Sequence, residues 1–289
     1  MTELSVIVPV YNDSEGIETT VKSIQPQLDD RSELIIIDNN STDETAGVIS
    51  EIAGNDERIL LKSETDIQSS YAARNTGIRA STGEILAFVD ADMTVSKSWL
   101  SDLRDLFRLS DINYAGFNVE LYLPEGKKSF AGQYNVACGF PVESYLEREQ
   151  FAPTCCLAVR RGVIDEVGMF DETLTSGGDR EFGQRVSRAG FEQHYAEDIT
   201  VYHPARTTFE ELKLKSLRVG RGNGQLYEKG HRSRSVLNIK NVLPPHPKNF
   251  YSKIEDDQPM STLFAWYLIN YWCKLTILRG WASYRFVES

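Results

Sequence analysis

The feature of this sequence that most constrains its fold is a series of short apolar runs that alternate with helix-like segments. LSVIVPV at residues 4–10, LIII at residues 34–37 and ILAFV at residues 85–89 are such runs, and amphipathic stretches separate them. A strand that is apolar on both faces is typical of a parallel sheet covered by helices on both sides. The first part of the chain is therefore predicted to be an α/β domain with a mostly parallel central sheet.

Each of the three runs ends in polar residues, which are YND at residues 11–13, DNN at residues 38–40 and DAD at residues 90–92. Open parallel sheets bind their ligands outside the carboxyl ends of the strands, so three such ends predict a binding site. In an extended backbone, Asp90 and Asp92 would point to the same side. Two converging carboxylates suit a hard cation such as Mg²⁺ or Mn²⁺. The alternative for this pair is an acidic turn without a ligand.

Composition and charge exclude other classes of protein. The 289 residues include 42 Asp and Glu against 31 Lys and Arg, and a net charge of −11 argues against general nucleic-acid binding. The four cysteines contain no C-x-x-C pair, so we expect reduced thiols rather than a zinc site or disulfides. The N-terminal residues lack the features of a secretory signal, and a cytoplasmic protein is expected.

Four motifs together resemble a GT-A-fold nucleotide-sugar glycosyltransferase of the large family 2. The motifs are VIVPVYND (6–13), DNNSTDET (38–45), AARNTGIRASTGEILAFVDADM (72–93) and GGDREFGQR (177–185), in the order and spacing of that family. The resemblance covers roughly residues 4–204. It implies a Rossmann-like GT-A sheet with helices on both faces. It also implies metal-dependent, inverting transfer from a nucleotide-diphosphate sugar, expected to be a UDP-sugar, to a hydroxyl of a glycan or lipid-linked acceptor.

The resemblance also implies roles for individual residues. Asp92, with Asp90, would hold Mn²⁺ or Mg²⁺, and His203 would be a further metal ligand, although a lone histidine is more often structural. The residues expected to contact the nucleotide-sugar donor are Pro9, Tyr11, Asp38, Arg74, Asp90, Arg218 and Arg221. The alternatives are a half-buried turn aromatic for Tyr11 and a solvated helix arginine for Arg74.

Asp179 is the candidate general base because it keeps the second position of the acidic Glu-Asp pair that the family usually shows. Gly178 stands where the glutamate would be, and this departure affects the acceptor contacts more than the base. Asp179 would deprotonate the acceptor hydroxyl opposite the departing diphosphate, which gives inversion at the anomeric carbon. A helix N-cap is its alternative role. Glu181 is a lesser candidate that should face away from Asp179.

The C-terminal part is predicted to be a helical extension with a basic and an aromatic segment. Arg218 and Arg221, in the basic segment 213–234, would neutralise a donor diphosphate or an acceptor phosphate, unless they lie on a solvated helix face. VGRGNG at 219–224 is predicted to form a mobile loop. The aromatic segment 263–281 is too short and too polar to be a membrane span, and we expect it to contact a membrane interface. A helix docked on the catalytic domain or buried in a dimer is the alternative.

These features divide the chain into a GT-A catalytic domain, residues 1–205, and a helical extension, residues 206–289. The nucleotide-sugar half of the catalytic domain would span about residues 1–110, and the acceptor half about residues 111–205. The expected location is the cytoplasm, with possible peripheral contact with the cytoplasmic face of the membrane. Two rival functions stay open, a polyprenyl-phosphate sugar synthase and a non-catalytic module that binds nucleotide sugars or cations. The first would need no general base, because its acceptor is a phosphate.

Local signals predict the ends of some helices. Ser41 and Glu44 fit a capping box at the start of one helix, and Thr208 and Glu211 fit another. Residues 124–150 are predicted to be a long irregular insertion.

Overall fold

The computed structural model describes residues 2–109, 111–231, 242–252, 254 and 258–287. The strands in this part of the chain are β1 (Leu4–Val10), β2 (Ser32–Asp38), β3 (Ile59–Ser63), β4 (Ile85–Phe88), β5 (Thr94–Val95), β6 (Tyr114–Tyr122), β7 (Leu157–Arg160) and β8 (Gln193–Pro204). The helices are α1 (Ser14–Ile24), α2 (Thr45–Gly54), α3 (Ser70–Ala80), α4 (Trp99–Leu109), α5 (Phe130–Cys138), α6 (Val142–Glu149), α7 (Arg161–Val167), α8 (Gly178–Arg188), α9 (Phe209–Glu228), α10 (Pro247–Tyr251) and α11 (Met260–Val287).

The strands form one sheet in the order β3-β2-β1-β4-β7-β6-β8-β5. β1 pairs in parallel with β2 on one side, where Val10 lies opposite Asp38, and with β4 on the other. β3 continues this parallel part beside β2. The pairs β4–β7, β6–β7 and β5–β8 are antiparallel. The predicted α/β class is confirmed, and antiparallel strands extend the parallel part.

The chain divides into two compact units. The first comprises Met1–Glu120, Phe140–Thr173 and Gly178–His203, and the second comprises Leu121–Gly139, Leu174–Gly177 and Pro204–Ser289. The predicted domain boundary at residues 205 and 206 stays a prediction.

In the first unit, β1 and β4 are buried throughout and β2 almost throughout, which explains their continuously apolar sequences. Helix α3 lies close against β1 and β2 because Gly77 has no side chain. A Cβ atom there would come within 2.5 Å of Cγ2 of Ile7 and 2.8 Å of Cδ1 of Ile37. This close packing fixes α3 against the strands whose ends carry the polar residues.

The second unit has an apolar core made of residues from α5, α9, α10 and α11, including Tyr134, Leu212, Phe250 and Trp266. Tyr134 also approaches Asn270 of α11, with 3.3 Å between its hydroxyl and the amide oxygen. These contacts tie α5 to the long C-terminal helix.

Helices α9 and α11 touch through their backbones. A Cβ atom on Gly220 would lie 2.1 Å from the carbonyl oxygen of Ile277, and one on Gly280 would lie 2.3 Å from that of Leu217. The prediction that residues 219–224 form a mobile loop is therefore wrong. These residues lie inside α9, where their glycines permit the close approach of α11.

Two local predictions also need correction. The segment 124–150 is not irregular throughout, because it contains α5 and α6. Ser41 and Glu44 form no capping box, since Glu44 precedes α2 without a side-chain cap. The second capping box is confirmed at α9. There Thr208 Oγ1 accepts from the N–H of Glu211, and the Glu211 carboxylate accepts from the N–H of Thr208.

Helix α11 carries a row of exposed apolar side chains on one side. They are Met260, Phe264, Leu268, Trp272 and Leu275, which follow one another at intervals of four or three residues. Among the described residues, no helix combines the length and the apolar character that a bilayer crossing requires.

Candidate functional site

The loops that follow β1 and β2 are joined by hydrogen bonds. The backbone N–H of Asn12 donates to Oγ of Ser41 at 2.9 Å, and Oδ1 of Asn12 accepts from the N–H of Thr42 at 2.8 Å. Asp38, buried at the end of β2, accepts from the N–H of Ser41 at 3.1 Å. Tyr11, at the end of β1, is 48 % exposed. The exposed Tyr11 and the fixed Asp38 carboxylate therefore lie at the carboxyl ends of two neighbouring strands.

Arg74 on α3 and Asp90 after β4 form an ion pair, with 2.5 Å between Nη2 and Oδ1. The Arg74 side chain is only 4 % exposed, whereas that of Asp90 is 38 % exposed. The Nη1 atom of Arg74 donates to the carbonyl oxygen of Ser70 at 3.2 Å, and its Nε has no partner among the described residues. Arg74 is thus not a solvated helix arginine. Its charge is buried and directed towards a part-exposed carboxylate at the carboxyl end of β4.

Asp92 lies with Asp90 in a turn, because β4 already ends at Phe88. The extended geometry expected for the two aspartates is therefore wrong. Burial raises the pKa of Asp92, and the nearby charge of His203 lowers it. The negative charges of Asp90 and Asp13 raise this pKa further, so its net direction is upward. Burial is the main reason that the pKa of Asp92 is raised.

His203 is buried on β8, with its ring centre 6.2 Å from that of Phe140. Tyr202 lies opposite Thr94 in the β5–β8 pair, which brings His203 and the segment that carries Asp92 together. Within the described ranges, no three His, Cys, Asp or Glu side chains lie close enough to form a metal-binding group by themselves. Asp92 and His203 could supply two ligands, which is enough for an ion that takes its other ligands from phosphate and water.

Asp179 is the second residue of α8 and is half buried. Its Oδ1 accepts from the N–H of Arg180 at 2.8 Å. The N–H of Gly178 donates to the hydroxyl of Tyr71, which is a buried residue of α3, at 2.9 Å. Burial raises the pKa of Tyr71, the charge of Asp179 raises it further, and that of Arg74 lowers it. Tyr71 is therefore close to both the candidate base and the buried arginine.

Gly178 is required at its position because the ring of Tyr71 lies over it. A Cβ atom on Gly178 would be 2.8 Å from Cζ of Tyr71. The glutamate expected from the family pattern would therefore overlap the tyrosine ring. Sequence reasoning missed Tyr71, although its place three residues before Arg74 puts both on one side of a helix.

Glu181 is held in a buried ion pair. It is buried, and both its oxygens accept from Arg185, at 2.7 Å from Nε and 2.9 Å from Nη2. An ion pair one turn apart on the same helix leaves this carboxylate occupied. Glu181 is therefore a poor candidate for the general base.

The remaining predicted residues lie elsewhere in the chain. Pro9 is buried in β1 opposite Ile37. Arg218 and Arg221 are exposed on α9, which belongs to the second unit.

All four cysteines are unbridged, and Cys155 and Cys156 are buried whereas Cys138 and Cys273 are half-buried. Cys155 is buried. Its hydrogen bond with Cys156 and its burial raise the pKa of this thiol well above its usual value.

Comparison with known proteins gives a consistent result. The model of the family described as glycosyl transferase family 2 matches residues 5–168. Glycosyltransferase AglE of Haloferax volcanii is 34% identical over 226 residues, which are 78% of this chain and 74% of that protein. The GalNAc(5)-diNAcBac-PP-undecaprenol beta-1,3-glucosyltransferase of Campylobacter jejuni is 35% identical over 104 residues, 36% of this chain and 34% of that protein.

Among solved structures, the mannosyltransferase PcManGT of Pyrobaculum calidifontis, in complex with GDP-Man and Mn²⁺, has a similar fold. The TM-score is 0.66 at 16% identity, and the match covers 99% of this chain and 88% of that one.

Proposed function

This chain belongs to glycosyl transferase family 2, and we propose that it transfers a sugar from a UDP-sugar to a hydroxyl of a glycan or lipid-linked acceptor. The observation that carries the proposal is the Arg74–Asp90 ion pair at the carboxyl end of β4. Ligands of such sheets bind at this end. A buried guanidinium behind a part-exposed carboxylate provides a fixed hydrogen-bond acceptor for the hydroxyls of a ribose or sugar.

The donor nucleotide would lie across the loops after β1 and β2. The exposed ring of Tyr11 offers a flat surface for the base. Asp38 is held by the N–H of Ser41 through one oxygen and would accept a hydrogen bond from the base or the ribose. The neighbouring Pro9 lies in β1 and supports the Tyr11 end of this surface.

A divalent cation, Mn²⁺ or Mg²⁺, is part of the proposal because the residues present suit one. Burial and the charges of Asp90 and Asp13 raise the pKa of Asp92, and the charge of His203 lowers it. These two residues would be the ligands, while Asp90 is already engaged by Arg74 through one oxygen and could reach the ion only with the other. When bound, the cation would offset the negative charge of the leaving diphosphate.

Asp179 would act as the general base in a single displacement with inversion. It lies in the first turn of α8, at the electropositive N-terminus of a helix. The carboxylate would remove the proton of the acceptor hydroxyl as that oxygen attacks the anomeric carbon.

The acceptor is proposed to be lipid-linked, and the second unit to contact the membrane surface. The name of the Campylobacter jejuni relative describes a polyprenyl-linked acceptor. Residues 204–289 contain 14 Lys and Arg against 7 Asp and Glu, although the whole chain has a net charge of −11. A basic segment with an exposed apolar row, such as that of α11, suits an anionic bilayer surface. Arg218 and Arg221 would then face phosphates of the lipid or the acceptor.

The test of the enzymatic proposal is nucleotide release from a panel of UDP- and GDP-sugars with Mn²⁺. We expect release from at least one donor, and a metal-dependent rise in melting temperature with the same donor. Asp92→Asn should lower release by roughly 100-fold or more, whereas Asp165→Asn, an exposed control on α7, should not. No release from any donor, despite measurable binding, would favour a non-catalytic module.

A second variant separates the two kinds of acceptor. Asp179→Asn should lower the rate by about 10²–10⁴-fold if the acceptor is a hydroxyl that needs a base. If this variant keeps most of its activity, a phosphate acceptor, as in a polyprenyl-phosphate sugar synthase, replaces the hydroxyl in the proposal.

The membrane part is tested separately by sedimentation with vesicles of phosphatidylglycerol or phosphatidylcholine. We expect binding to the anionic vesicles only, and its loss in Leu268→Asp. Leu109→Asp, which changes an exposed leucine that is 83 % accessible in the first unit, is the matched control. Equal recovery of Leu268→Asp and wild type with anionic vesicles would contradict this part.

A further inference from the structure

Tyr71 makes an unusual contact with the start of α8. Its hydroxyl accepts from the N–H of Gly178 at 2.9 Å, and its ring carbons lie 2.8–2.9 Å from the point where a Cβ of Gly178 would be. The first N–H groups of a helix have no partner within the helix. Here a phenol oxygen from another helix takes the part that a Ser or Asp N-cap normally plays.

The phenol is itself held firmly. Tyr71 is buried, with its ring centre 6.0 Å from that of Phe170 and 5.8 Å from the guanidinium carbon of Arg74. Burial raises the pKa of Tyr71, so the group stays a neutral phenol throughout the physiological range. Its oxygen can therefore serve as a permanent acceptor for the N–H of Gly178.

Tyr71 also connects the two parts of the proposed reaction centre. Arg74, which binds Asp90, lies three residues further along α3, and residues at this spacing share one side of a helix. Asp179, the proposed base, follows Gly178 directly. Helix α3 thus contacts Asp90, a proposed donor-binding residue, through Arg74, and the backbone next to the proposed base through Tyr71.

We propose that Tyr71 is a positioning residue for transfer, because its hydroxyl fixes the first turn of α8 and holds Asp179 in register with the Arg74–Asp90 pair. Tyr71 touches the backbone beside the base rather than the reacting atoms. The inference rests on the proposed role of Asp179 as general base. Position 178 has no acidic side chain, and in this proposal the hydrogen bond from its backbone N–H to the phenol positions the start of α8.

The experiment uses the full chain and the donor of the panel that supports the fastest nucleotide release with Mn²⁺. Tyr71→Phe removes only the oxygen, and we expect kcat to fall about tenfold while the Kd for the donor stays within about twofold. In an Asp179→Asn background the same change should cause no further loss. A purely structural role would instead lower the rate by the same factor in both backgrounds.

A matched control and a second variant complete the design. Tyr134→Phe removes the oxygen of another buried tyrosine, which approaches Asn270 in the second unit, so it should leave kcat nearly unchanged. Gly178→Ala keeps the phenol, but the added methyl group would displace the first turn of α8 from the Tyr71 ring. This variant should therefore reproduce the kinetic effect of Tyr71→Phe. Hydrogen exchange at Gly178 should be faster in Tyr71→Phe than in wild type, whichever donor the enzyme uses.

The outcomes separate the two proposals. Wild-type kcat in Tyr71→Phe, or an unchanged exchange rate at Gly178, overturns the positioning role alone. Failure of the wild-type protein to release nucleotide from any donor overturns the proposed function, and the role of Tyr71 falls with it.

Discussion

The backbone contact between α9 and α11 predicts opposite effects for two glycine-to-alanine changes. A methyl group on Gly220 would lie 2.1 Å from the oxygen of Ile277 and 2.8 Å from the nitrogen of Trp281. Nonbonded heavy atoms are optimally about 3.5 Å apart, so the helices would have to separate by roughly 1 Å. The neighbours are backbone atoms that cannot rotate away, which places the cost at about 3 kcal/mol, the upper end for overpacking.

Alanine has a higher helix propensity than glycine, which offsets about 1 kcal/mol of this cost. Gly220→Ala should therefore lose about 2 kcal/mol of unfolding free energy, or roughly 4–8 °C in melting temperature. Gly47, in α2, has no atom within 4 Å of the position of an added Cβ. Gly47→Ala is the matched control and should gain about 0.5–1 kcal/mol.

Differential scanning calorimetry of the three proteins measures both effects. A Gly220→Ala protein as stable as the wild type would refute the reasoning, because a mobile loop at residues 219–224 would accept alanine without cost. A gain for Gly47→Ala in the same experiment would show that the method detects changes of either sign.

Three further outcomes are expected. Arg74→Lys should weaken donor binding about tenfold in calorimetry, because a lysine keeps the charge but loses the planar fork that meets Asp90, while Arg79→Lys on the same helix should not. Glu64→Gln should destabilise the protein at pH 7 but much less at an acidic pH below the pKa of Glu64 in the folded protein. Hydrogen bonding by the Thr76 hydroxyl lowers the pKa of Glu64 below its usual 4.5. The stabilisation from this carboxylate is therefore complete above its unfolded pKa and is lost as the pH falls through the folded one, which urea unfolding at both pH values would measure. Thr208→Ala should cost about 1 kcal/mol by removing the cap of α9, and Thr208→Ser should not; equal melting temperatures for these two variants would contradict the capping role.

The parallel part of the fold was predictable because its signals are local. Runs such as LSVIVPV are apolar on both faces, and only strands buried on both sides of a sheet need this pattern. The capping box at Thr208 was predictable for the same reason, since its partners are three residues apart. The capping box at Ser41 failed because Ser41 instead bonds Asn12, which lies on the loop after β1, and Asp38, at the end of β2.

Helices α5 and α6 and the glycine contact of α9 were not predictable from local pattern. The sequence of α5 includes glycine and asparagine, and packing of Ala131 and Tyr134 in the second unit outweighs their low helix propensity. The glycines at 220, 222 and 224 resemble those of a loop until the neighbouring helix is known.

The sequence predicted which residues belong to the site but not how their side chains are arranged. Arg74 and Asp90 were both named as donor contacts, but their ion pair joins α3 to the end of β4 and has no signature in either segment alone. The neighbourhood of Asp92 and His203 likewise depends on strand β8 returning beside β5. Tyr71 was missed because its partner, Gly178, is 107 residues away.

The contact between Tyr71 and Gly178 also limits how this sequence can diverge. A side chain introduced at 178 while the ring is present meets an atom 2.8 Å away, and loss of the ring first leaves a void in a buried aromatic cluster. Each single step is unfavourable, whereas the two changes together are compatible. Close relatives should therefore vary at these two positions as a pair. An engineered exchange of the GGD segment with an acidic pair has to replace the tyrosine in the same step.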